Sequence, residues 1–238
     1  MTDRHRRLAE ALPAAVPPRV VDLGCGEGRT LAALRERFGE SVELVGVERR
    51  EVELVLGDAE LVVADLNKPL PFEDASLGAA ICHNTLEALT SPDPFLAEVQ
   101  RILVPGGHFL LSHTDLDTTV FHASDLELTR RFVHAYADTQ EEWMDAADGT
   151  IGRKLPAIAR ASPFELMATY AWVEIDREFA QGETADVAVA GIAAAVRRDH
   201  RELASQLEAW VDDLRVHAGL GEFLFSVNDY AVLLRKPG

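Results

Sequence analysis

Three carboxylates and a glycine turn are the residues of this 238-residue chain best placed to do chemistry. Asp22 stands two positions before the first glycine of Gly24-Cys25-Gly26-Glu27-Gly28. Glycines at that spacing let the backbone turn sharply between a strand and a helix and let a ligand approach the main chain. The turn alone is a weak signal, because dinucleotide sites use a similar one with the pyrophosphate at the helix N-terminus. Asp22 sets this one apart. A carboxylate there is awkward beside a pyrophosphate and suits a ligand bearing an ammonium group and a cationic sulfonium. Glu48 lies 26 residues further on, at the end of the next apolar run, where it can accept hydrogen bonds from both ribose hydroxyls. Asp65 follows 17 residues later with Leu66 beside it, suited to accept from an exocyclic adenine amine while the leucine lies against the ring.

Histidine supplies the candidates for proton transfer. His83 and His113 each follow an apolar run that reads as a strand, and imidazole titrates near neutrality. Either can act as a general base toward an acceptor hydroxyl or amine, or only hydrogen-bond a carbonyl or the ligand. Asp115, Asp117, His122 and Arg153 are candidate substrate contacts. Arg153 can clamp a substrate carboxylate or pair with one of the chain's many acids. His113, Asp115, Asp117 and His122 have metal-ligand types but not metal-ligand spacing, so no metal is expected. Cys25 reads as a small residue filling a tight loop and Cys82 as core. The basic run Arg4-His5-Arg6-Arg7 reads as a solvated helix face, with a flap over the ligand as the alternative.

These residues need a scaffold of alternating strands and helices. Arg19–Leu23 reads as a strand bounded in front by Pro17-Pro18, and Thr30–Phe38 as a helix closed by Gly39. Further strands are expected over Val42–Val47, Leu61–Ala64, Leu77–Cys82 and His108–Ser112. The segment from Glu48 to Asp65 is too short for a full helix. Asp93 and Pro94 read as N-cap and first residue of the helix carrying Phe95, Val99, Ile102 and Leu103. Pro105-Gly106-Gly107 reads as a turn. Beyond Thr114 no clear strand is expected until Leu166–Ile175. Helices follow over Ala185–Val196 and Glu202–Val216, the second striped by Leu203, Leu207, Trp210 and Leu214, then a last strand over Phe223–Leu234. The alternation argues for an α/β fold, a parallel sheet covered on both faces.

Read in order, Asp22-Leu-Gly-Cys-Gly-Glu-Gly28, Val45-Gly-Val-Glu48, Asp65 ahead of Leu70-Pro-Phe-Glu-Asp-Ala-Ser76, Asn84-Thr-Leu-Glu87 and Glu98-Val-Gln-Arg-Ile-Leu-Val-Pro-Gly-Gly107 resemble the successive motifs of class I S-adenosylmethionine-dependent methyltransferases. The subgroup resembled is that of ubiquinone/menaquinone-biosynthesis and other small-molecule enzymes, and the likeness is close over residues 18–113. It implies a doubly wound, Rossmann-like seven-stranded sheet of order 3-2-1-4-5-7-6 with strand 7 antiparallel. It implies S-adenosyl-L-methionine as cofactor: Asp22, Gly24, Cys25, Gly26 and Gly28 at the methionine end, Glu48 at the ribose, Asp65 and Leu66 at the adenine. Arg49 would stack on or cover the adenine, and His83 and Asn84 would face the methyl group. The family often has histidine where this chain has Ala88. The expected organisation is one domain over 1–238, with 114–164 and 178–222 forming a helical lid around the substrate.

Composition narrows the acceptor. With 40 acidic against 23 basic residues the net charge is −17, a field that repels nucleic acid. No apolar run is long enough to span a membrane, and the N-terminus lacks the apolar core of a signal peptide. Two cysteines form no disulfide framework, so a cytoplasmic setting is expected. The reading is methyl transfer to a small organic molecule at O, N or C, by an enzyme of bacterial biosynthesis with a homodimer allowed. The alternative is a non-methylating cyclase or regulatory binder on the same scaffold.

Overall fold

The computed structural model describes residues 3–15 and 18–238; Pro17, read above as bounding the first strand, lies outside them. The elements are α1 (Asp3–Ala11), β1 (Arg19–Leu23), α2 (Arg29–Phe38), β2 (Glu43–Glu48), β3 (Glu60–Val63), β4 (Leu77–His83), α3 (Pro92–Ile102), β5 (Leu103–Phe121), α4 (Leu126–Ala137), α5 (Ile151–Ala161), β6 (Glu165–Asp176), α6 (Thr184–Asp199), α7 (Arg201–Gly219) and β7 (Phe225–Arg235). The strands form one sheet of order β3-β2-β1-β4-β5-β7-β6, with β7 antiparallel, as the motifs imply. No helix separates β2 from β3.

The centre of the sheet follows from composition. β1 pairs in parallel with both β2 and β4, and β4 buries Leu77 through Cys82 completely or nearly so. A strand covered on both faces needs an unbroken apolar run, which β4 has. The strand order reverses between β1 and β4. In an open α/β sheet that reversal leaves a crevice at the carboxyl ends of the two strands. Asp22, register partner of Gly46 and Ile81, stands at that end of β1.

Two boundaries differ from the sequence reading. Ser91, in extended backbone, is the N-cap of α3, Pro92 opens the helix, and Asp93 sits in the first turn rather than at the cap. Proline is as well suited to the first helical position at 92 as at 94, and two such signals in tandem obscured the start. Pro105-Gly106-Gly107 is a bulge inside β5 rather than a turn before it: Leu77 pairs with Leu103, but Ala79 pairs with His108. β5 then continues through Phe121, across residues read as lid.

The chain divides into two compact units, one of Met1–His113, Arg153–Tyr170 and Tyr230–Gly238, the other of Thr114–Gly152 and Ala171–Asp229. In the second unit Phe121, Phe132, Trp210, Leu214 and Phe225 share a buried core, so the Leu203/Leu207/Trp210/Leu214 stripe is packing. The Trp210 indole N–H donates to Thr129 Oγ1 at 3.0 Å.

In the first unit Arg101 of α3 clamps the segment after β3. Its guanidinium donates to the carbonyls of Leu70 (3.1 Å) and Phe72 (2.8 Å), to Asp74 (2.7 Å) and to both Glu98 oxygens (2.6 and 2.9 Å). Glu98 in turn accepts the Leu70 N–H at 2.6 Å. Arg101→Ala strips two carbonyls of their donor and leaves Glu98 only the Leu70 N–H, so a loss of about 2 kcal/mol is expected. A lowered urea midpoint at unchanged m-value checks it.

Candidate active site

The glycine turn is built where β1 runs into α2. Gly24 has φ +80°, and its N–H and that of Cys25 both donate to the Val47 carbonyl, at 2.8 and 3.0 Å. A Cβ on Gly24 would come within 2.2 Å of Thr85 Oγ1, so the turn lies flush against the chain leaving β4. Cys25 packs its Sγ where a Cβ on Gly46 would fall, 2.6 Å away. Burial, then the charges of Asp22 and Glu48, push its thiol up to about 12. It is a filler held as a thiol. Gly28 opens α2 without a side-chain cap, and a Cβ on Gly26 would meet nothing within 4 Å.

Asp22 is 2% exposed, and its Oδ2 has no hydrogen-bond partner among the described residues. Burial first, and the nearby Glu48 carboxylate second, push its pKa up from 3.8 to about 7. A buried carboxyl oxygen without a donor is costly unless a ligand supplies one. Glu48 is already engaged: Oε2 accepts the Gly26 N–H at 3.0 Å and Oε1 the Arg49 N–H at 2.8 Å. The carboxylate therefore braces the glycine turn as well as ending β2. Asp65 lies two residues beyond β3 and accepts the Asn67 N–H at 3.0 Å. That bond, with Arg49 and Lys68 nearby, holds its carboxyl below the usual range. The Arg49 guanidinium lies 3.6 Å from Asp65, and Leu66 is buried.

Three imidazoles lie near the end of β4, one of them, His113, within β5 one residue past the Ser112 that pairs with His83. His83 Nδ1 lies 3.2 Å from Ser112 Oγ. Burial, followed by Arg4, His113 and His5, lowers its pKa well below 6.5, so the ring is neutral. His113 is 1% exposed, with Nε2 3.6 Å from Glu87 Oε1. Asn84, between them in the chain path, has φ +52°, a left-handed conformation that asparagine tolerates better than most residues. The third imidazole, His5 of α1, meets the His83 ring edge-to-face at 6.3 Å and places Nδ1 3.1 Å from Thr30 Oγ1.

The structure thus brings Asp22, the glycine turn, Glu48, His83, Asn84 and His113 to the carboxyl edge of the central strands. The substrate candidates divide between the two units. Asp115 is fully buried in β5, Asp117 pairs with His134 at 3.2 Å, and His122 donates to the Glu222 carbonyl and packs its ring on His217. Those three belong to the second unit, whereas Arg153 is exposed on α5 in the first. Sequence reasoning missed Glu87, Ser112, Thr30 and Thr85 as site residues. Only the flap alternative for Arg4–Arg7 pointed toward His5. No group of three or more potential metal ligands occurs among the described residues.

Residues 21–111 match the family model described as a methyltransferase domain. A 37.1 kDa protein in transposon TN4556 of Streptomyces fradiae is 29% identical over 95% of this chain and 65% of its own length. A fatty-acid O-methyltransferase of Mycolicibacterium smegmatis is 27% identical over 60% of this chain and 57% of its own. The chain therefore spans less than two thirds of these relatives. The solved structure of the [4+2]-cyclase SpnF is similar at TM-score 0.57 and 18% identity, covering 99% of this chain and 80% of that one, a likeness of fold. The matched segment carries the glycine turn, Asp22, Glu48, Asp65 and His83, and over it the chain is similar to the class I S-adenosylmethionine-dependent methyltransferases.

Proposed function

We propose that the protein transfers a methyl group from S-adenosyl-L-methionine to a small organic acceptor, with His113 as general base. The observation that carries the reading is Asp22: a buried, donorless carboxyl oxygen beside an open glycine turn fits the ammonium of the methionine end. Glu48 would take the ribose hydroxyls, and Asp65 with Leu66 the adenine. Bound there, the cofactor supplies a methyl carbon made electrophilic by a sulfonium. The chain's own contribution is to align the acceptor behind that carbon and exclude water.

His113 would accept the proton that an acceptor hydroxyl or amine must lose, with Glu87 orienting its ring and balancing the imidazolium. His83, held neutral, would serve as a hydrogen-bonding wall. The segments 114–164 and 178–222 would act as the lid, and Asp115, Asp117, His122 and Arg153 would contact the acceptor. The fatty-acid O-methyltransferase among the relatives favours a small, largely apolar acceptor. We place the enzyme in the cytoplasm; its two cysteines are free, and no described helix is long and apolar enough to cross a membrane. A homodimer and a biosynthetic role in a bacterium complete the reading.

The cyclase likeness favours one second reading, in which the cofactor is held but no methyl leaves it. Titration calorimetry with S-adenosylmethionine, S-adenosylhomocysteine and NAD tests the cofactor half. Micromolar binding of the first two and none of NAD is expected. Failure of both sulfur nucleosides to bind overturns the proposal. Transfer of radiolabelled methyl to candidate fatty acids, sterols and phenols then separates the two readings.

A further inference from the structure

Ser112 and His83 are register partners on neighbouring parallel strands, and their side chains meet. Ser112 is fully buried in β5, and among the described residues its hydroxyl has His83 Nδ1, at 3.2 Å, as its partner. The His83 ring is neutral, so one nitrogen carries the proton and the other a lone pair. Which is which follows from the serine. With the proton on Nδ1, that nitrogen would donate to Oγ, and the serine's own hydrogen would be buried with no acceptor. With the proton on Nε2, the serine hydrogen finds the Nδ1 lone pair. A buried donor left unmade is the costlier arrangement, and the bond at one ring nitrogen sets the state of the other. His83 Nε2 hydrogen-bonds no described residue, and it is not sealed from solvent. His83 is the last residue of β4, at the carboxyl end that borders the crevice.

We propose that Ser112 is a positioning residue that fixes His83 as an N–H donor toward the crevice, and that this donor selects an oxygen as the methyl acceptor. The proposal rests on the methyl-transfer reading above and narrows its acceptor from O, N or C to a hydroxyl or carboxyl oxygen. An oxygen has lone pairs to spare. One forms the bond to the methyl carbon as the carbon–sulfur pair departs with sulfur, and another accepts from Nε2–H. The proton of a hydroxyl passes to His113, and a carboxylate arrives without one. A neutral amine has a single lone pair, and a fixed donor that engages it blocks the attack. A carbon nucleophile has no lone pair to offer the donor beside the one it attacks with. The same N–H stabilises the charge that a deprotonated oxygen carries.

Two measurements on the full chain test it. The first is long-range proton–nitrogen NMR of histidine-labelled, ligand-free protein, which reads the nitrogen of His83 that carries the proton. The parent should show Nε2–H. Ser112→Ala should weaken that preference about tenfold, the effect of one buried hydroxyl, and Ser112→Thr, which keeps the hydroxyl, should restore most of it. Sheet amide signals serve as the folding control. The second is transfer of labelled methyl from S-adenosylmethionine to matched pairs: a fatty acid and the alkylamine of equal chain length, a phenol and its aniline. Label should enter the oxygen member of a pair at least about a hundredfold faster. His83→Phe keeps a flat ring without the N–H and should narrow that gap about tenfold or more, with the affinity for S-adenosylhomocysteine within twofold. Nδ1–H in the parent overturns the role of Ser112 whatever the cofactor does. Equal or faster labelling of the amine, label in no oxygen product, or an unchanged gap in His83→Phe overturns the selection of oxygen. A parent that binds no S-adenosylhomocysteine defeats the methyl-transfer reading and the selection with it, while the NMR still decides what Ser112 does.

Discussion

Asp22→Asn should fold, gain stability at pH 8 and lose cofactor binding. The sign follows from the buried carboxyl, whose pKa rises from 3.8 to about 7 in the native state. A group with a raised folded pKa keeps the native state protonated, so its favourable contribution is complete below the unfolded value. That contribution is lost as pH climbs through the interval and is gone above about pH 7. At 1.36 kcal/mol per unit, the interval corresponds to a cost on the order of 4 kcal/mol for holding Asp22 ionised without a ligand. Asparagine removes that cost. Urea unfolding should show the parent losing stability from pH 5 to pH 8 and the variant holding level. Meanwhile the variant forfeits a charge-assisted bond to an ammonium in a dry site, and its dissociation constant should rise at least a hundredfold by calorimetry. In the parent, binding should release a proton below pH 7, so affinity should climb with pH and level off above it. An unchanged dissociation constant in the variant would show that the ammonium lies elsewhere.

His113→Ala should lower kcat by about 10²- to 10⁴-fold while leaving the affinity for S-adenosylhomocysteine within twofold, the range associated with a positioned general base. Glu87→Gln keeps the shape but not the charge facing Nε2, and a smaller loss of about tenfold is expected. His83, whose burial lowers its pKa well below 6.5, stays neutral and is not a rival for the imidazolium role. If kcat is unaffected, His113 only hydrogen-bonds, the acceptor arrives ready to react, and alignment alone accounts for catalysis.

The parts of this protein legible in the sequence are those decided by neighbours in the chain. A strand, a Gly-x-Gly-x-Gly turn and a helix over residues 19–38 follow from local apolar spacing and from φ values open to glycine, and they are observed there. The unbroken apolar run of β4 marks a central strand because both its faces must be buried. Carboxylates at 22, 48 and 65 fall near strand ends because the strands themselves were readable. Tertiary structure decided the rest. Thr114–Phe121 lacks period-two alternation, and its two aspartates, at 115 and 117, are residues that strands disfavour. It is extended because β7 lies beside it, with the Asn228 N–H donating to Thr118 Oγ1 at 2.9 Å. That Glu48 braces Gly26, that Thr85 lies against Gly24, and that His5 reaches Thr30 are contacts across 22 to 61 positions of chain. No local propensity encodes them. They arise because folding the sheet brings the carboxyl ends of β1, β2 and β4 together, and that juxtaposition leaves Asp22 Oδ2 buried without a donor.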